Sequence, residues 1–132
     1  MDTQVLLYAA LPYDSSPVVA SIRRADDVWV APPLWRSEFM NVLAGYLRRG
    51  ALSRDEAEAA VAHAAGLLVE EVEPGVGAVL ALVAASPCTA YDLEFVAVAR
   101  SLGVPLVTND RQILESFPSV AVSLESFAGR SG

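Results

Sequence analysis

Lysine is missing from this chain. All nine basic residues are arginines, set against sixteen aspartates and glutamates in 132 residues, for a net charge of −7. Without lysine there is no Schiff-base chemistry and no phosphate loop closed by Lys-Ser or Lys-Thr. Cysteine and histidine occur once each, as Cys88 and His63. A lone cysteine allows no internal disulfide, which agrees with a reducing compartment, so the expected location is cytoplasmic. With no partner in view, Cys88 reads as a small buried residue rather than a nucleophile. His63 lies on the charged face of its predicted helix, seven residues after Glu56, and reads as a surface residue. A Ser–His or Cys–His nucleophile is therefore not expected, and GxGxxG, GxSxG and paired-His zinc motifs are all absent. Long apolar runs are missing too. The nearest, residues 76–85, is too short to span a bilayer, and no basic segment precedes an apolar run at the N-terminus. The acidic balance argues against a general nucleic-acid binder, though not against a nucleic-acid enzyme whose acidic pocket is neutralised by metal ions.

What is present fits one compact domain over residues 1–132, with 54% apolar residues to build a core. Residues 5–11 form an apolar run closed by Pro12, and Asp2 or Thr3 could cap a short helix there. Ser16 and Pro17 read as the N-cap and first position of a short helix over 18–25. Residues 28–31 read as a buried strand ended by Pro32-Pro33. The strongest helix signal is 34–49, where Trp35, Phe39, Val42, Leu43 and Tyr46 recur at helical spacing before Gly50. Ser53 and Glu56 make a capping box that opens a helix through about Gly66. A strand over 67–72 follows, with Glu70, Glu71 and Glu73 as its solvated rim, then a weaker helix over 76–86. Thr89 caps a helix that stops at Gly103, residues 105–108 form a strand, and 111–116 a short helix. Residues 121–122 and 123–127 read as a last strand and a terminal helical turn. Short β-runs alternating with helices predict an α/β fold with a central, mostly parallel sheet flanked by helices, its functional edge at the carboxyl ends of the strands.

The remaining chemistry is acidic. Asp92 falls in the first turn of the helix after Thr89, and Asp110 lies just past the strand at 105–108. Glu38 sits at the margin of the apolar stripe of helix 34–49, with Asn41 on the same side, and Asp2 stands near the start. Each has an ordinary structural role available: helix dipole complement for Asp92, N-cap for Asp110, solvated rim for Glu38, terminal residue for Asp2. Together they occupy points that an α/β fold brings toward one edge, and several carboxylates in one region make a hard-cation site.

The order Asp-Thr-x-Val-Leu-Leu-Tyr (2–8), Ser-Glu-Phe-x-Asn-Val-Leu (37–43), Tyr-Asp-x-x-Phe-Val-Ala-x-Ala (91–99) and Val-Pro-Leu-Val-Thr-Asn-Asp (104–110) resembles the PIN domain family. Within it, the pattern is most similar to the VapC-type toxin ribonucleases of toxin–antitoxin modules. The resemblance implies a parallel sheet flanked by helices, a homodimer, and RNA cleavage with Mg²⁺ or Mn²⁺ held by Asp2, Glu38, Asp92 and Asp110. It also implies a cognate antitoxin as partner, and it matches Thr108 to the hydroxyl residue two positions before the last acid. Arg36 and Arg111, beside two of the acids, are candidate phosphate contacts. The pattern departs at Gln4, where asparagine is usual, and at the first acid, which only Met1 precedes. Those departures motivate an alternative, a PIN-like binding or scaffold module without catalysis. A phosphoacceptor receiver fits less well, because it would use a late lysine.

Overall fold

The computed structural model describes residues 28–129, so Asp2 and the segments expected at 5–11 and 18–25 lie outside the described residues. In chain order the elements are β1 (Trp29–Ala31), α1 (Trp35–Arg48), α2 (Arg54–Leu67), β2 (Leu68–Glu71), α3 (Val76–Ala85), α4 (Ala90–Leu102), β3 (Leu106–Val107), α5 (Arg111–Ser116), β4 (Ala121–Val122) and α6 (Leu124–Gly129). The strands form two pairs, β1 with β2 and β3 with β4, and both pairs are parallel. This is the mixed α/β architecture of a PIN-like domain, with helices providing the crossovers that parallel pairing requires.

The helix boundaries follow local chemistry. Ser53 accepts a hydrogen bond from the Glu56 N–H at 3.1 Å, and the Glu56 carboxylate accepts from the Ser53 N–H at 2.8 Å. That reciprocal box satisfies two backbone donors at the start of α2. Helices α1 and α4 both end in a left-handed glycine, Gly50 at φ 71° and Gly103 at φ 66°. After each, a backbone N–H returns to the last helical turn, Ala51 to the Tyr46 carbonyl at 2.9 Å and Val104 to the Ala99 carbonyl at 3.0 Å.

The core is organised on α1 and α4. Trp35, Phe39 and Leu43 recur every four residues along α1 and are buried, with the Trp35 and Phe39 rings edge to face at 5.7 Å. Val42, expected in that stripe, is exposed; a stripe built on i, i+4, i+8 spacing leaves a residue one position earlier at its margin. Helix α4 buries Leu93, Phe95, Val96, Ala97, Val98 and Ala99, apolar around most of its circumference as a helix inside the fold must be. The alanines Ala57, Ala60 and Ala64 line the buried side of α2, which packs on α1. Cys88 is buried, its thiol 3.8 Å from the Ser116 hydroxyl, and His63 is exposed, both as the sequence implied. Among the described residues no single helix is long and apolar enough to cross a membrane; α3 and α4 together have that length and composition but are bent by 116°.

Candidate metal and nucleic-acid site

Three of the four acids are described, and each stands at the start of a helix. Glu38 lies in the first turn of α1, half-buried, a few residues beyond the carboxyl end of β1. Asp92 lies in the first turn of α4, also half-buried, and its N–H donates to the Thr89 hydroxyl at 3.1 Å. Asp110 is the N-cap of α5, exposed, with Oδ1 accepting from the Ile113 N–H at 3.0 Å. The structural roles available to Asp92 and Asp110 are therefore real: both sit where the exposed N–H groups of a helix favour negative charge.

Thr108 fixes the last acid. It is the one buried polar residue among those described, and its hydroxyl accepts the Asp110 N–H at 3.0 Å. Its own N–H pairs with the Val122 carbonyl at 3.0 Å as the β3–β4 ladder ends. Next to it, the Asn109 side chain accepts from the Leu124 N–H at 3.5 Å, tying the same loop to α6. The turn that carries Asp110 is thus held from both sides.

The donor chemistry of Glu38, Asp92 and Asp110 suits a hard divalent cation, which takes carboxylate oxygens and needs only one or two of them directly. These three do not by themselves close into one cluster: no group of three or more His, Cys, Asp or Glu able to hold a metal ion occurs among the described residues. The fourth acid, Asp2, lies outside them.

The two arginines differ in their surroundings. Arg36 is exposed and its guanidinium stands over the Trp35 ring, 5.8 Å from the centroid. It lines a pocket of about 210 Å³ with Trp35, Leu68, Val69, Glu70 and Glu71, a setting richer in carboxylate than a phosphate contact would choose. The Trp35 indole N–H there donates to Glu71, which is therefore more than the solvated rim that the sequence suggested. Arg111 is exposed at the first position of α5, next to Asp110.

A feature that the sequence reading missed is Glu94. With Glu73, Pro74, Val76, Val79 and Leu80 it lines a second pocket, of about 180 Å³, between the start of α3 and α4. Burial, and secondarily the charge of Glu73, raise the Glu94 pKa above the usual carboxylate value. The signal was a lone carboxylate inside the apolar run 93–99. Neither pocket includes Glu38, Asp92 or Asp110.

Comparison with curated proteins gives no significant match. The family model described as the PIN domain, a family of generally metal-dependent nucleases, matches residues 1–119. That span carries all four acids and every element from β1 to α5, and the chain belongs to the PIN domain family.

Proposed function

We propose that this protein is a metal-dependent endoribonuclease and the toxin of a type II toxin–antitoxin module. The observation that carries the reading is the placement of Glu38, Asp92 and Asp110, each at a helix start within a chain that matches the PIN domain over residues 1–119. Asp2, Glu38, Asp92 and Asp110 would hold Mg²⁺ or Mn²⁺. Held there, such an ion would set positive charge against the scissile phosphate and make water a stronger nucleophile. The chain's own residues do the rest. A carboxylate of the set would accept the proton of the attacking water, and no single acid is assigned as base. Thr108 holds the Asp110 backbone in place, and Arg111 is near enough in sequence to engage a phosphate of the RNA.

The toxin assignment rests on the VapC-like pattern at 2–8, 37–43, 91–99 and 104–110. It brings a cognate antitoxin as partner, a homodimer and a cytoplasmic setting. The exposed Met40 and Leu47, seven residues apart on one face of α1, would give that antitoxin an apolar contact. The competing reading, a PIN-like binding module without catalysis, draws on the departure from the family pattern at Gln4. Incubation of total cellular RNA with the purified protein separates the two. Cleavage that EDTA stops and added Mg²⁺ or Mn²⁺ restores is the expected result; intact RNA under all conditions selects the binding module.

A further inference from the structure

Arg49, the C-cap of α1, folds back along the helix that carries Glu38. Its guanidinium stands over the Tyr46 ring, 4.9 Å from the centroid. The same group lies against Gly45: a Cβ placed there would sit 3.3 Å from the Arg49 Nη1, so the glycine leaves the room that the guanidinium uses. Glu38, Val42, Gly45 and Arg49 recur at intervals of four, three and four residues, which puts them on one face of α1. Val42 on that face is exposed, so the way from Glu38 to the guanidinium runs along the surface. From Glu38 to Gly45 the helix rises about 10 Å. Arg49 has no ion pair among the described residues, where Arg54–Glu58 is the one found. Arg36 lies on a different face of α1, in the pocket with Glu70 and Glu71.

We propose that Arg49 is a substrate-binding residue that grips a phosphate of single-stranded RNA, on a nucleotide neighbouring the one at which the acids act. The inference rests on the nuclease reading for the position of the cut, not for the contact itself. Stacking on Tyr46 fixes the guanidinium plane and leaves its in-plane N–H groups as a fork for phosphate oxygens. A fork already held in place loses less rotamer freedom on binding than a mobile side chain does. In a chain of net charge −7 the overall field repels RNA, so local groups must hold it. A stacked arginine on the face of Glu38 is such a group, and it continues the line of phosphates away from the acids.

A fluorescein-labelled single-stranded RNA of random sequence tests it, with cleavage followed in Mn²⁺ and binding followed by anisotropy in Ca²⁺. Arg49→Gln should raise KM and Kd about three- to tenfold and change kcat less than about twofold, the scale of one charge-assisted contact made equally in ground and transition states. The slope of log Kd against log salt should fall by about 0.7, one phosphate contact of a single strand. Arg49→Lys keeps the charge without the fork and should restore the salt slope and only part of the affinity. Arg54→Gln removes the same charge from an arginine already paired with Glu58 and should leave KM and Kd unchanged. Arg49 and Arg54 are exposed, so the variants keep the fold by circular dichroism. Equal effects of Arg54→Gln and Arg49→Gln, a Kd and salt slope that Arg49→Gln leaves unchanged, a loss confined to kcat, or wild-type protein that binds no RNA would each overturn the proposal. Wild-type protein that binds RNA through Arg49 yet cleaves none would sustain the contact and overturn the nuclease reading instead.

Discussion

Helices α3 and α4 are sequence neighbours that pack on each other, and both are rich in Ala, Val and Leu. Their fates differ. Helix α4 buries six consecutive core positions apart from the half-buried Glu94, while α3 buries Leu82 alone. Apolar content therefore does not decide which helix enters a core. Helix α4 is locked at both ends, by Thr89 at its N-terminus and by the left-handed Gly103 at its C-terminus. Its first turn carries an acid whose charge opposes the helix dipole favourably. Helix α3 has no side-chain cap at its start and meets the protein along one narrow stripe. The buried helix delivers Asp92 with little freedom of position, and the uncovered helix offers a surface.

This contrast predicts a graded series of stability effects in urea or thermal unfolding. Leu93→Ala in α4 removes a fully buried side chain and should cost about 2–5 kcal/mol, whereas Leu80→Ala in α3 should cost less than about 0.5 kcal/mol. Equal losses would mean that α3 is covered in solution. Gly103→Ala should cost about 1 kcal/mol, since a side chain must then adopt φ near 66°. Thr89→Ala should cost a comparable amount, about 1 kcal/mol, through the lost bond to the Asp92 N–H.

The smallest effects are electrostatic and are distinguished by their pH dependence. The folded pKa of Glu94 is raised, so its ionised form opposes folding, and stability falls as pH rises through that pKa. Glu94→Gln should therefore stabilise slightly at neutral pH, and the gain should vanish in acid once wild-type Glu94 is protonated. Glu56 behaves in the opposite sense. Its pKa is lowered, first by the Ser53 N–H and then by the Ser53 hydroxyl, so its contribution is present above the ordinary carboxylate range and lost as pH falls through the folded value. A destabilising Glu56→Gln whose effect persists unchanged into strong acid would contradict the capping box as its cause.

Much of this was legible in the sequence because the signals were local. The Ser53–Glu56 box, the Gly50 and Gly103 stops, the Thr89 cap and the short strands at 28–31 and 121–122 are each set by a few adjacent residues, and each is found where its residues stand. What was not legible depends on contacts across the chain. Spacing along α1 made Val42 look as buried as Leu43, and only the direction of the neighbouring helices decides between them. Glu71 looked like solvated rim until parallel pairing of β1 and β2 brought it to the Trp35 indole. The Glu73–Glu94 pocket joins residues on two elements and has no local signature at all. For the acids, sequence order named the residues and their helix starts, while their mutual distances depend on packing and on Asp2, outside the described residues.

The central claim is that the acids at these helix starts form a metal-dependent nuclease site, and Asp92→Asn tests it most directly. The substitution keeps the side-chain volume and leaves the Thr89 cap bond, which uses the Asp92 backbone N–H, untouched. RNA cleavage in Mg²⁺ or Mn²⁺ should fall by about a hundredfold or more, the scale of losing a preorganised electrostatic group, with a melting temperature shifted by only a few degrees. Cleavage by Asp92→Asn at the wild-type rate, or wild-type cleavage that continues in EDTA, would contradict it.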